Sequence, residues 1–243
     1  MSNSPLVSYT KISPNKTAPR NHKIDTITIH CVAGQCSVET LGEIFAPPSR
    51  KASSNYGIGP DGRIGMYVEE KDRSWCSSNS ANDNRAITIE VASNTTDPYY
   101  VNDVAYAALI DLLVDICKRN GIKELKWKGD KSLIGNVEEQ NMTVHKWFAN
   151  KDCPGSYLYD RHALIAAQVN VRLGATKKKV KIKVGDKVKL NKGARTYTGE
   201  KLASFVYKNV YDVVQINDER VVIGLGRAVT AAVHLKDLKR VTE

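Results

Sequence analysis

Residues 25–32 read DTITIHCV and residues 85–92 read RAITIEVA. Both alternate with the period of two that sends successive side chains to opposite faces of a strand. In the first, Thr26, Thr28 and His30 share one face and Ile27 and Ile29 the other; in the second, Ile87, Ile89 and Val91 oppose Thr88 and Glu90. The pattern predicts two strands that bury aliphatic side chains on one side and carry a single ionisable group on the other. Downstream of Asn102-Asp103, the segment DVAYAALIDLLVDICKRNG places Tyr106, Leu109, Ile110, Leu113 and Cys117 at helical spacing. Lys118 and Arg119 fall in its last turn and Gly121 just beyond it, which marks a helix end. A second helix is predicted from about Tyr157 to Leu173 on Leu158, Ile165, Val169 and Leu173, and a shorter one over Val38 to Phe45, closed by Pro47-Pro48. Strands and helices in this mixture predict an α/β fold, a mixed central sheet flanked by helices. No internal repeat is visible.

The pattern changes at Gly174-Ala175-Thr176-Lys177-Lys178-Lys179, where the helical spacing stops at a glycine and a lysine run begins. Beyond it come short β-branched runs, VKLNKGA, SFVYKNVYDVVQI, ERVVIGL and AVHLKDLKRV, punctuated at Asn217-Asp218 and at Gly224 to Gly226. They predict a small all-β barrel. The expected organisation is therefore a first domain over 1–174, a linker over 175–183 and a second domain over 184–243. Charge follows the same division: residues 1–176 hold 20 Lys+Arg against 19 Asp+Glu, whereas residues 177–243 hold 16 against 7. A nearly neutral body is joined to a module attracted to polyanions.

With 243 residues, 42% hydrophobic and 26% charged, the chain is long and apolar enough for real cores, which excludes disordered and disulfide-scaffold classes. No apolar run has the length of a bilayer span, and the start MSNSPLVSYTKISPNK lacks a basic then apolar signal pattern. Synthesis in the cytoplasm without membrane insertion is the expectation. Five cysteines, Cys31, Cys36, Cys76, Cys117 and Cys153, show no repeated CxxC spacing, so most are expected to be buried thiols with one as a ligand.

The chemistry concentrates in residues 142–155, MTVHKWFANKDCPG, where His145 and Cys153 stand eight residues apart across a loop. Imidazole and thiolate are favoured zinc ligands, and catalytic zinc sites use three protein ligands with a fourth position left to water. His30, at the end of a strand on its polar face, is the natural third. Taken alone, a His–Cys pair at this separation also arises from unrelated residues, and His30 reads equally as a polar-face residue.

Four motifs in order, TITIH, SSNYGIGPDGRI over Ser53 to Ile64, RAITIEVA and MTVHKWFANKDCPG, resemble the zinc-dependent type 2 N-acetylmuramoyl-L-alanine amidases, the superfamily of phage lysozyme-type amidases and peptidoglycan recognition proteins. The resemblance covers residues 20 to 173. It implies Zn2+ bound by His30, His145 and Cys153, with Glu90 and Lys151 as catalytic helpers; read alone, Glu90 is also consistent with a solvent-facing strand residue and Lys151 with a surface cation. Asn55, Tyr56 and Arg73 are candidate substrate contacts, with Tyr56 also read as core and Arg73 as solvated charge. One departure is that Ser54 stands where the lysozyme-type members carry a catalytic tyrosine, so that variant of the mechanism is not expected. The C-terminal runs, among them GDKVKL and KGARTYTG, resemble the bacterial SH3-like barrels of amidase endolysins from clostridial-type phages. The implied partners are peptidoglycan and anionic wall polymers, reached after holin-dependent release, with no nucleic acid involved. Competing readings are a peptidoglycan receptor without catalysis, against which Cys153 argues, and a thiol peptidase using Cys153 and His145, against which Pro154 argues by following the cysteine in a loop. A nucleic-acid binder would account for the charge but lacks any reader motif.

Overall fold

The structure is a computed structural model that describes residues 2–174, 182–226 and 228–241. The chain separates into two compact units, Met1–Thr176 and Lys177–Glu243. Most of the linker expected at 175–183 lies outside the described residues.

The first unit contains β1 (Tyr9–Thr10), β2 (Lys16–Thr17), β3 (Thr26–Cys31), α1 (Val38–Phe45), β4 (Tyr56–Ile58), β5 (Ile64–Met66), β6 (Arg73–Ser74), α2 (Ser80–Arg85), β7 (Ala86–Val91), α3 (Asp103–Asn120), β8 (Met142–Thr143) and α4 (Gly155–Leu173). Six strands form one sheet in the order β1-β5-β4-β7-β3-β8, while β2 and β6 pair separately. Within the large sheet β3 runs parallel to β7 and β8, and β4 antiparallel to β5, so the sheet is mixed. Its aliphatic face carries Ile27, Ile29, Ile87 and Ile89. These pack with Leu109, Leu112, Leu113 and Ile116 of α3 and with Leu158, Ile165 and Val169 of α4 in one core.

The helix boundaries follow from local chemistry. Asn102 accepts from the amide of Ala105 and caps α3, and Gly121 ends it in the left-handed conformation at φ 69°, donating its N–H to the Cys117 carbonyl. Ser37 caps α1 in the same way through the Thr40 amide. The α4 helix begins two residues before the expected Tyr157, at Gly155.

The polar faces of β3 and β7 are not solvated: Thr26, Thr28 and His30 are buried, as is Thr88. Both strands are central, with a neighbour on each side, and their hydroxyls find partners on β8, α2 and β6. Thr28 Oγ1 lies 2.7 Å from Thr143 Oγ1, Asn82 Nδ2 donates to Thr28 at 3.0 Å, and Thr88 Oγ1 lies 2.7 Å from Ser74 Oγ.

The second unit is a five-stranded antiparallel sheet in the order β12-β11-β10-β9-β13. Its strands are β9 (Lys187–Leu190), β10 (Tyr211–Asn217), β11 (Arg220–Leu225), β12 (Ala228–His234) and β13 (Leu238–Arg240). Val188, Tyr211, Val213, Val221, Ile223 and Val233 form its own core. The run AVHLKDLKRV is two strands, not one, because the turn at Leu235–Asp237 interrupts it. SFVYK is likewise a turn of 3-10 helix ahead of β10.

Candidate metal centre

His30 and Glu90 are direct partners in the parallel β3–β7 register, so their side chains emerge side by side from the polar face of the sheet. The chain leaves β8, enters a single 3-10 turn over His145–Trp147, and returns at Cys153, where the Lys146 N–H donates to the Cys153 carbonyl at 3.1 Å. That closure brings the loop over the end of β3. Cys153 Sγ lies 3.3 Å from His30 Nδ1, and the His30 and His145 rings meet edge to face with centroids 5.1 Å apart. One donor atom from each of His30, His145 and Cys153 falls within a 4.8 Å cluster. The three side chains that the sequence separates by 123 residues are together.

Burial sets their protonation. His30 is wholly enclosed, and burial, followed by the neighbouring His145, pushes its pKa down to about 3, which leaves a neutral imidazole at neutral pH. His145 is lowered too, by burial and then by the Lys151 charge. The Cys153 thiol is held well above its ordinary range, first by a side-chain hydrogen bond with Cys31 and then by burial. A divalent cation reverses that preference, because a coordinating thiol is deprotonated by the ion. The donor set suits zinc: two neutral imidazoles and a thiol converge, and His30 Nε2 is buried without a hydrogen-bond partner among the described residues.

Glu90 stands beside this set. Burial, followed by Cys31, raises its carboxyl to about 8, and its Oε2 is enclosed without a hydrogen-bond partner among the described residues. A carboxyl in that condition is suited to proton transfer near neutral pH. The cavity above it has a volume of about 360 Å³ and is lined by Glu90, His145 and Lys151 together with Arg73, Trp75 and Cys76.

The remaining sequence-predicted positions divide. Lys151 and Arg73 face the cavity, with Arg73 Nη2 also donating to Thr17 Oγ1 at 2.5 Å. Tyr56 and Asn55 do not reach it. Tyr56 is fully buried and donates its hydroxyl to Glu70 at 2.7 Å. Asn55 is fully buried, donating to the Val68 carbonyl and accepting from the Thr88 amide. Both belong to the core because they lie at the start of β4, between β5 and β7, where backbone and side chains of neighbouring segments close over them. Ser54 is also buried and donates to the Tyr56 carbonyl. Trp127 and Trp147 stack on each other at 5.1 Å and are packing residues, while Trp75 lines the cavity.

Two site residues had no sequence signal. Ser78, in the left-handed region at φ 61°, brings its hydroxyl to 3.1 Å from His145 Nε2. Cys76 Sγ lies 3.8 Å from Glu90 Oε1. Both sit in an irregular loop, where no periodicity predicts direction; the only clue is two polar residues, Ser77 and Asn79, ahead of a short helix.

Comparison with solved structures finds chains of similar architecture. The E90A mutant of PlyL is 14% identical with a TM-score of 0.49, covering 66% of this chain and 96% of its own. A mutant endolysin from Bacillus subtilis is 18% identical with a TM-score of 0.49, covering 70% and 99%. The endolysin N-acetylmuramoyl-L-alanine amidase LysCS from Clostridium intestinale is 20% identical with a TM-score of 0.46, covering 68% and 98%. No curated protein sequence matches significantly. The profile of one protein family, described as N-acetylmuramoyl-L-alanine amidase (Amidase_2), matches residues 20–156, a span that holds His30, Glu90, His145, Lys151 and Cys153. On that match over more than half its length, the chain belongs to the N-acetylmuramoyl-L-alanine amidase family Amidase_2.

Proposed function

We propose that this protein is a zinc-dependent peptidoglycan hydrolase of the endolysin type, which cuts the amide between the lactyl group of N-acetylmuramic acid and L-alanine. The observation that carries this reading is the convergence of His30, His145 and Cys153 within 4.8 Å beside the enclosed Glu90 carboxyl. His30, His145 and Cys153 would hold the ion; when bound, zinc supplies a Lewis acid for the scissile carbonyl and acidifies water in the open position.

The chain's own residues supply the rest. Glu90 has Oε2 free of protein partners, so it is available to take the proton of the attacking water and return it to the departing alanine nitrogen. Lys151, at the cavity wall, offers a positive charge to the oxyanion. Ser78, touching His145 Nε2, sets the orientation of that ring. Arg73 and Trp75 give the cavity a cation and an aromatic face for the stem peptide and sugar. We assign the second unit to holding the wall through an SH3-like surface. In support, Lys189 and Lys239 lie directly opposite each other on β9 and β13, a juxtaposition of like charges that an anionic polymer would relieve.

The test is digestion of purified Gram-positive walls, followed by turbidity, new amino termini and new reducing ends, with chelator and with zinc added back. The expected result is new N-terminal alanine without reducing ends, lost on chelation and restored by zinc. Wall binding without new ends would replace this reading with a receptor; cleavage that persists without metal but stops on thiol alkylation would replace it with a thiol peptidase.

A further inference from the structure

Beside Cys153, the site holds a second thiol, Cys76, which has no part in the chemistry above. Cys76 is fixed by its own loop: its N–H and that of Ser77 donate to the buried Asp83 carboxylate at 3.0 and 3.1 Å, and Ser77 Oγ donates to the same group at 2.5 Å. The result aims Cys76 Sγ at Glu90 Oε1, 3.8 Å away. A second cluster thereby forms, because donor atoms of His30, Cys76 and Glu90 also lie within 4.8 Å of one another. Among the described residues, the site's two enclosed polar atoms without hydrogen-bond partners, His30 Nε2 and Glu90 Oε2, both belong to residues of this inner set. His30, which is wholly buried, belongs to both clusters.

We propose that Cys76 and Glu90, drawing on His30, form a second site for a soft divalent cation, and that its occupation inhibits the enzyme. Imidazole, thiolate and carboxylate are each zinc ligands, and the thiol selects soft ions over magnesium or calcium. Binding releases the Cys76 thiol proton and, because a shared His30 would hold one ion on each ring nitrogen, the His30 N–H proton as well; it fixes the Glu90 carboxylate on the ion, so Glu90 no longer accepts the proton of water. The second ion binds more weakly than the first because His30 is shared. The inference rests on the assignment of His30, His145 and Cys153 as ligands of the first ion.

The test is equilibrium dialysis of the full chain against rising zinc, repeated with cadmium while following thiolate-to-metal absorbance. Wild type is expected to take up two ions in two steps, each adding a thiolate signal. Cys76→Ser and Glu90→Gln are each expected to take up one, and Cys153→Ala to lose the tighter ion and keep the weaker. In wall digestion, wild type is expected to slow as zinc passes one equivalent, while Cys76→Ser holds the rate it shows at one equivalent. Uptake of one ion by wild type, the same uptake by wild type and Cys76→Ser, or equal inhibition of both would overturn the proposal. Failure of the underlying amidase reading looks different: no tight ion is lost in Cys153→Ala, or no N-terminal alanine appears at any zinc concentration.

Discussion

In the proposed reaction Glu90 is the proton-transfer group. Among the described residues one of its carboxyl oxygens has no hydrogen-bond partner, burial raises its pKa to about 8, and its backbone is held in the centre of the sheet. Replacement by Gln preserves shape and removes the base, so Glu90→Gln should retain the first zinc by atomic absorption and lose about 10²–10⁴-fold in turnover. Lys151→Ala should cost about 10²-fold with zinc retained, as expected for loss of charge at an oxyanion. Away from the site, His162 is wholly buried, with Nδ1 2.7 Å from the Leu158 carbonyl and Nε2 unpartnered, and burial lowers its pKa to about 4. The unfolded chain therefore binds this proton between pH 6.5 and 4 while the folded chain does not, so the group's stability penalty grows as pH falls through that interval and stays in full below it. His162→Phe should make the urea midpoint less acid-sensitive there, by a slope approaching one proton, about 1.4 kcal/mol per pH unit, with no difference above pH 7.

At the level of elements, α3 is docked through a buried charge. Arg119 Nη2 meets Glu70 Oε1 at 2.6 Å, and the same fully buried carboxylate accepts from Tyr56 and from Asn120 Nδ2 at 3.0 Å. Arg119→Met should destabilise the first unit by about 3–5 kcal/mol in urea unfolding, because Glu70 would keep its burial and lose its cation. None of this arrangement is legible in the sequence, where Glu70 lies in VEEKDR and reads as a solvated charge. Arg20 is a similar case: its guanidinium donates to the carbonyls of Glu70, Asp72, Asp83, Asn84 and Ala86, partners that only the tertiary fold assembles. By contrast β3, β7, α1 and α3 were readable, since periodicity and caps are local properties of the chain. His30, His145 and Cys153 were readable as candidates through their residue types and motif order. Asn55 and Tyr56 misled because a motif shared with a family gives position in the chain and not the direction of a side chain.

For the whole molecule, the uneven charge is the main feature. The second unit carries most of the positive excess, on a sheet with its own core. Attraction of that kind acts over about 10 Å at 0.1 M salt and weakens as salt rises. Binding of the full chain to purified walls should therefore fall steeply with sodium chloride. Lys189→Glu combined with Lys239→Glu should reduce that binding at low salt while leaving cleavage of a soluble muropeptide unchanged. Wall binding independent of salt and of both lysines would assign the attachment to another surface. Among the described residues no helix is long and apolar enough to cross a membrane.

The central claim is that two imidazoles and one thiolate share an ion beside Glu90, and the zinc K-edge absorption spectrum of the chain loaded with one equivalent tests it most directly. The account predicts a single sulfur ligand at about 2.3 Å, two imidazole nitrogens and a light oxygen donor, with the sulfur signal absent from Cys153→Ser. A spectrum without sulfur in wild type, or one unchanged by that substitution, would contradict it.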